Sequence, residues 1–248
     1  SVSSTQVSRA SQLLDEEFLK WRSRPLGQYK HLILDALYEK VRQGGCVLDC
    51  AVFVAYGIDY EGKRTVLGVS TGLSEGEVHW RGFLDSLIAR GLHAVQSITS
   101  DAHSGLKAAL KATFPGVIWQ RCQFHLQQNA QAYVPKKEMR PLVAEDIRSI
   151  FDAPNRAEAD RLLKLTQEKY ARTAPALSEW LEKNIPEGLA IFHFDACHRK
   201  RLRTSNMAER VNKEIRRRTK VVTIFPSIES CLRLITGVLV EIDDAWGA

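Results

Sequence analysis

Apolar residues recur along this chain at helical spacing in some segments and at strand spacing in others. The first segment steps by three and four residues, which predicts a helix over residues 7–21 that ends before Pro25 and Gly27. Its apolar stripe consists of Val7, Ala10, Leu14, Phe18 and Trp21. A single helix of this length gains little stability alone, so we expect it to pack on another element or on a partner chain.

Three segments rich in Val, Ile and aromatic residues follow and predict strands at 31–34, 46–58 and 64–70. Short links favour antiparallel pairing. Helical and strand patterns then alternate: helix 75–90, strand 94–99, helix 103–113, strand 116–121 and a helix from about 123. This order predicts an α/β fold, with a mixed five-stranded sheet flanked by helices.

The segment 126–196 lacks the alternation of strands and predicts helices only, at about 141–151, 155–171 and 175–184. We interpret it as a helical insertion. Two more helices are predicted after it, at 204–220 and at about 227–245.

The positive charge of the chain is concentrated in one segment, which indicates a possible function. The 248 residues carry a net charge of +6, but residues 199–220 hold ten basic and two acidic side chains, so that segment alone carries +8 and the rest of the chain −2. A local excess of this kind favours the binding of a polyanion such as nucleic acid. The alternative is a basic run that only solvates a helix face.

Composition excludes several other classes of protein. No apolar stretch approaches the roughly 18–20 residues that cross a bilayer, and no secretory signal opens the chain. The five cysteines are scattered, which does not suit a disulfide framework and favours a reducing cytosol. Because the first residue is Ser1 rather than Met, we expect a fragment or a processed product.

Three carboxylates lie at predicted positions that are typical of active-site residues. Asp35 is predicted at the end of the first strand, Asp101 just after the fourth, and Glu209 in the first turn of the basic helix. Functional groups converge at strand ends in α/β sheets, and carboxylates suit Mg²⁺, which also binds substrate phosphates. Each has a structural alternative: an edge-strand charge for Asp35, a helix cap for Asp101, and a capping box with Asn206 for Glu209.

Four motifs resemble those of the Mutator-type transposases of bacterial insertion sequences, in the same order along the chain. They are Leu34–Arg42 (LDALYEKVR), Ser100–Leu106 (SDAHSGL), Trp119–His125 (WQRCQFH) and Thr204–Asn212 (TSNMAERVN), the last followed by Arg216-Arg217-Arg218 and by Phe225-Pro226. The resemblance extends from about Tyr29 to Trp246, and four linked motifs make it specific.

The resemblance implies a DNA transposase with an RNase H-like core, which cleaves at transposon ends and transfers the strands to target DNA. It implies Asp35, Asp101 and Glu209 as catalytic and metal-binding residues of a DDE motif, holding two Mg²⁺ ions that Mn²⁺ can replace. The implied layout is a linker 1–28 left from a DNA-binding region, a core in two parts at 29–125 and 197–248, and the all-helical insertion 126–196 before the last catalytic helix.

Further residues are assigned roles around this site. The expected DNA contacts are Arg203, Asn206, Arg210, Asn212, Lys213, Arg216, Arg217, Arg218 and Lys220. We expect Cys122, His125, Trp119 and His103 to organise the active site. The Cys-x-x-His pair could instead be half a zinc site, but no four-ligand spacing accompanies it.

The expected partners are double-stranded DNA, as element ends and as target, and a second copy in a homodimer, since two ends must be joined. Two alternatives stay open: a catalytically retired, transposase-derived DNA-binding protein, and an RNase H-like nuclease.

Overall fold

All five predicted strands form, and they belong to one mixed sheet with the order β3-β2-β1-β4-β5. The computed structural model describes residues 3–247, except for the side chains of Ser4, Thr5, Val7 and Cys197. The strands are β1 His31–Gln43, β2 Cys46–Ile58, β3 Arg64–Gly72, β4 Ser97–Ser100 and β5 Ile118–Arg121.

Helices precede, separate and follow the strands along the chain, and all of the described ones except Ala196–Leu202 lie on predicted helical segments. They are α1 Ser4–Ser23, α2 Glu77–Ala89, α3 Ser104–Thr113, α4 Gln123–Ala130, α5 Arg140–Phe151, α6 Arg156–Tyr170, α7 Pro175–Asn184, α8 Ala196–Leu202, α9 Asn206–Thr219 and α10 Ile228–Gly247. Short 3-10 turns lie at Gln131–Tyr133, Lys137–Met139, Ile185–Gly188 and Ala190–His193. In the described residues, no helix is both long and apolar enough to span a membrane.

The chain divides into two compact units. The first contains residues 3–96, 103–117 and 206–247, and the second contains residues 97–102 and 118–205. Each has its own apolar core, as expected for units that bury surface separately.

The first unit is built on the antiparallel strands β1, β2 and β3. One face of this sheet packs against the apolar sides of α9 and α10 in a single cluster, to which Ile33, Val54, Ile215 and Ile235 contribute. These four side chains are almost fully buried, and burial of this kind contributes about 1.5–3 kcal/mol per side chain. The helix α9 is therefore fixed against β1 by apolar packing.

The expectation that the first strand ends at Asp35 is wrong. β1 continues to Gln43 and pairs residue by residue with β2, so that Asp35 lies in mid-strand opposite Val54. Gly44 and Gly45 both adopt positive φ and close the hairpin, which lets the ladder run on through polar residues. Backbone pairing therefore outweighs the charge that suggested a strand end.

The fourth strand also differs from its predicted span, since β4 begins at Ser97 rather than at 94. Ala94 has a φ of 63°, outside the range of strand backbone, so the ladder cannot begin before it.

The second unit combines the short parallel pair of β4 and β5 with helices α4 to α8. Residues 123–202 contain helices and 3-10 turns but no strand within the part described. Two buried glutamines join β5 and α4 to the 3-10 turns: the amides of Gln120 and Gln123 both donate to the Gly188 carbonyl, at 2.8 and 2.9 Å. These bonds give the two buried amides and the Gly188 carbonyl hydrogen-bond partners inside the unit.

The N-terminal helix α1 packs less along its predicted stripe than the sequence suggested. Phe18 and Trp21 pack against other elements of the first unit, but Leu14 is 48% exposed. Charged contacts replace the missing apolar ones, because Arg233 on α10 forms two hydrogen bonds of 2.6 Å to the Asp15 carboxylate.

Candidate functional site

Asp35 is half-buried on β1, on the strand face that packs against α9. Its Oδ1 accepts a hydrogen bond from the Ala36 N–H at 2.9 Å, and its Oδ2 accepts one from the Asn212 side-chain amide at 2.7 Å. The Asn212 bond crosses from α9 to the strand and fixes the orientation of the carboxylate. Asn212 was expected from the sequence to contact DNA. In the structure its side-chain amide donates a hydrogen bond to Asp35.

A buried tyrosine lies beside the same carboxylate. Burial, and then the charge of Asp35, raise the pKa of the Tyr56 hydroxyl well above its ordinary value. The side chain is fully buried in the core of the first unit. Nothing in the sequence marks Tyr56 as part of this site, because an aromatic residue in an apolar strand gives no signal other than packing.

Glu209 occupies the first turn of α9 and is half-buried. It precedes Asn212 by three residues, a spacing that brings two side chains to the same side of a helix. Because Asn212 contacts Asp35, the side of α9 that carries Glu209 faces β1. The partial positive charge of a helix N-terminus also favours a carboxylate in this turn.

The cations of α9 and the residue after it fall into two groups. Arg217 and Arg218 both form ion pairs with Glu214, and Arg218 also pairs with Glu241 at 3.0 Å. Glu214 consequently has a pKa lowered to about 2, mainly by its hydrogen bond from Arg217. These two arginines are therefore already neutralised by neighbouring carboxylates.

The other group is exposed and, among residues 3–247, forms no ion pair; it consists of Arg210, Lys213, Arg216 and Lys220. Lys213, Arg216 and Lys220 follow Glu209 by four, seven and eleven residues and so lie in line with it along the helix. A row of unpaired cations of this kind suits a phosphate backbone.

Asp101 directly follows β4 in the second unit. Its Oδ1 accepts the Ala102 N–H at 2.8 Å, and within the described part of the chain no cation forms an ion pair with it. The cap of α3 is a different residue, because the His103 Nδ1 accepts the Gly105 N–H at 3.3 Å. His103, and not Asp101, therefore caps the N-terminus of α3, so the structural alternative proposed for Asp101 does not apply.

Cys122 is a buried residue at the start of α4, and its thiol is held by polar neighbours in the second unit. Burial alone raises the pKa of this thiol, but hydrogen bonds involving His125 and Ser205 outweigh it and lower the pKa. The Ser205 hydroxyl lies 3.3 Å from Cys122 Sγ. The contact of Ser205 was not predicted from the sequence, because 83 residues separate it from Cys122.

Two further expected site residues have structural partners in the second unit. The Trp119 indole N–H donates to the Ser100 hydroxyl at 2.9 Å, joining β5 to β4. Arg203 forms an ion pair with Asp152. Asn206, by contrast, is exposed at the first residue of α9.

The oxygen-rich surroundings of Asp35 fit a hard cation such as Mg²⁺. Asn212 Oδ1 is buried, and no donor among the described residues bonds to it, so one acceptor position next to the Asp35 carboxylate is unfilled. Carboxylate and amide oxygens are the ligands that Mg²⁺ and Mn²⁺ accept in proteins. The Asp35 carboxylate and the Asn212 amide oxygen are therefore of the ligand type that suits a divalent metal ion.

Comparison with known proteins identifies the family. A family model described as "Transposase, Mutator family" matches residues 1–248. The transposase for insertion sequence element IS406 of Burkholderia multivorans is 55% identical over 99% of this chain and 63% of its own length. The transposase for insertion sequence element ISRM5 of Rhizobium meliloti is 40% identical over 98% of this chain and 61% of its own length. The chain thus spans a little over three fifths of each relative.

Among solved structures, a chain of the simian T-cell lymphotropic virus intasome in complex with the PP2A regulatory subunit B56 gamma aligns over 73% of this chain and 56% of its own, with 16% identity. Its TM-score of 0.26 carries no conclusion. The family match along the whole sequence and the 55% identity establish that the chain belongs to the Mutator family of transposases.

Proposed function

We propose that this chain is the catalytic part of a DNA transposase that cuts at the ends of an insertion sequence and joins the freed strand to target DNA. The observation that carries the proposal is the contact between Asp35 and Asn212. It links a strand carboxylate to the helix on which Glu209 and a row of unpaired cations lie. Family membership supports the same activity.

Asp35, Asp101 and Glu209 form the metal-binding triad in this proposal, with two Mg²⁺ ions that Mn²⁺ can replace. When bound, such ions lower the pKa of a water molecule and stabilise the leaving oxygen of a phosphodiester. Asn212 holds Asp35 in one orientation, so that no reorganisation of the carboxylate is needed during the reaction. The α9 cations hold the phosphates next to the scissile bond.

The proposal includes an architecture and partners. Residues 29–125 and 197–248 form an RNase H-like core, residues 126–196 an inserted helical domain, and residues 1–28 a linker. Double-stranded DNA is the substrate, both as element end and as target. A homodimer brings two ends together in the bacterial cytoplasm, at the nucleoid.

The test incubates the natural-length protein with duplexes that carry the ends of its element, in Mg²⁺, Mn²⁺, Ca²⁺ or EDTA. We expect cleavage that frees a 3′-hydroxyl, and strand joining, in Mg²⁺ and Mn²⁺ only. D35N, D101N and E209Q should each reduce the rate by about a thousandfold or more, because a metal site supplies several kcal/mol and each factor of ten is about 1.4 kcal/mol.

Matched controls remove a carboxylate from the same elements. Asp49 lies on the β1–β2 hairpin and pairs with Lys40, and Glu214 lies on α9 and pairs with Arg217. D49N and E214Q should keep at least a third of the activity. Undiminished cleavage by E209Q would refute the assignment, and cleavage of RNA–DNA hybrids in preference to element ends would favour a nuclease instead.

A further inference from the structure

The second unit presents an exposed surface that the proposed active site does not use. We define the aromatic–basic patch as Tyr133, Lys136, Lys137 and Arg140, which lie within eight residues between α4 and the first residue of α5. The three cations are exposed, and Tyr133 is 43% exposed.

A buried platform supports the aromatic member of the patch. The Tyr133 ring stacks on Trp180 of α7, with the ring centroids 5.5 Å apart and the planes 28° apart. Trp180 is only 8% exposed, and Val134, the residue after Tyr133, is also buried in the core of this unit. Tyr133 is therefore held in place while much of its surface remains accessible, an arrangement that lowers the entropic cost of stacking against a ligand.

The cations of the patch differ from the ion-paired cations on the helices of the same unit. Four exposed cations there pair with carboxylates at 2.6–2.9 Å: Arg156 with Asp160, Arg161 with Glu158, Lys169 with Asp146, and Lys183 with Glu179. Over the described residues, Lys136, Lys137 and Arg140 form no ion pair, and Glu138 is the one acidic residue within the patch segment. A net charge of +2 is thus displayed beside an exposed ring.

We infer that the aromatic–basic patch is a second DNA contact, separate from α9, that binds a strand with an unpaired base. Lys136, Lys137 and Arg140 bind successive backbone phosphates, and Tyr133 stacks on the unpaired base. Unpaired cations beside a fixed aromatic ring are the combination that recognises single-stranded nucleic acid. This inference rests on the proposed function, because strand cleavage and joining expose unpaired ends.

The experiment measures binding of the purified chain to two fluorescent DNAs, a 30-base-pair duplex and the same duplex with a 3′ overhang, between 50 and 200 mM salt. The triple variant K136A/K137A/R140A removes the patch cations. The control R156A/R161A/K183A removes the same charge from the same unit at ion-paired positions. We expect the salt slope for the overhang DNA to fall by about two in the patch variant and by less than one in the control.

The aromatic ring is tested on its own. Y133F should bind overhang DNA as the unchanged chain does, whereas Y133L, which keeps an apolar side chain on Trp180, should bind it about tenfold more weakly. Circular dichroism melts of both variants check that the second unit remains folded. Binding to the blunt duplex should change less than threefold in either variant.

Equal salt slopes for the patch variant and its control would overturn the inference, as would equal overhang binding by Y133F and Y133L. A patch variant that loses self-association but not DNA affinity would also overturn it and would point to a protein partner. If the natural-length protein cleaves element ends while the patch is inert, the proposed function stands and this inference fails. If cleavage is absent but the patch variant loses overhang affinity, the patch binds DNA as inferred and the proposed function fails.

Discussion

At the scale of single residues, the structure gives specific hydrogen-bond partners to polar side chains whose roles could be predicted only from residue type. Asn212 follows Glu209 in a basic helix, which suggested a DNA contact, yet its amide is bonded to Asp35 on β1. Ser205 holds the Cys122 thiol from 83 residues away. Such contacts depend on which side chains meet in space, and side-chain type and spacing along one element do not encode that.

The Asn212 contact leads to a prediction about metal dependence. N212L removes the hydrogen bond to Asp35 with little change in volume, so the carboxylate is no longer oriented. We expect cleavage to fall by about 10–100-fold and the Mg²⁺ concentration for half-maximal cleavage to rise. T219V is the control, because Thr219 donates a 2.8 Å hydrogen bond to Glu39 between the same helix and strand. Equal losses in both variants would mean that Asn212 acts only through folding.

Cysteine reactivity gives a second prediction at this scale. Cys46 is exposed, while Cys50, Cys122 and Cys231 are buried. Burial raises the pKa of the Cys50 thiol, and burial together with Cys50 and Glu39 raises that of Cys231 to about 12. In a C197S background, native protein at pH 8 should therefore label rapidly at one thiol, and unfolded protein at four. Rapid native labelling after C46S is added would contradict the burial of the other three thiols.

At the scale of elements, helices were the most predictable part because their apolar spacing is periodic over ten or more residues. The stripe on α9 is an example: Val211 and Ile215 are buried as expected, and Met207 is partly buried. Strand ends were less predictable, since β1 runs eight residues beyond Asp35. Its extension depends on pairing with β2, a contact between segments that a single-strand pattern does not contain.

The start of α3 supplies a stability prediction. A Cβ at Gly105 would lie 2.8 Å from the Glu77 nitrogen and 2.9 Å from the Gly76 carbonyl carbon, both backbone atoms that cannot move aside. We expect G105A to cost at least about 2 kcal/mol and to lower Tm by roughly 4–8 °C.

The control for this variant is G82A, on α2. A Cβ at Gly82 would meet no atom within 4 Å, so alanine should stabilise the helix by about 0.5–1 kcal/mol. Melting curves that show equal stability for G105A and G82A would be inconsistent with the close packing of α3.

The two groups of α9 cations should differ in DNA binding. K213A/R216A removes two unpaired charges, whereas R217A/R218A removes two that already form ion pairs with Glu214 and Glu241. The salt slope of duplex binding should fall by about two in the first variant and by less than one in the second. Anisotropy titrations at several salt concentrations measure both slopes, and equal slopes would show that the ion pairs open on binding.

At the scale of the whole molecule, the basic segment 199–220 is divided between the two units. Arg199, Lys200 and Arg201 lie on α8 in the second unit, and the remaining cations after Arg203 belong to the first. A run that is continuous in sequence is thus not one helix, and several of its charges are paired. The number of cations available to DNA is smaller than the sequence count suggests.

Salt dependence tests how many cations bind DNA. Four unpaired cations on and beside α9 and three in the aromatic–basic patch give about seven phosphate contacts, and hence a slope of log affinity against log salt of about −6. Affinity for overhang DNA should fall by roughly 10³–10⁴ between 50 and 200 mM salt. A slope of −2 or shallower would mean that most of these cations do not reach phosphates. Mg²⁺-free buffer with EDTA isolates binding from cleavage.

The sequence by itself determined the α/β class, the positions of most helices, the concentration of positive charge and the motifs that led to the transposase family. These properties are local: they follow from periodicity and residue type within short segments. Only the tertiary structure decided that Asp35 lies in mid-strand, that Asn212 holds it, and that Arg217 and Arg218 are neutralised while Arg216 is not. Each of these depends on contacts across long stretches of chain, and such contacts form only when packing brings the segments together.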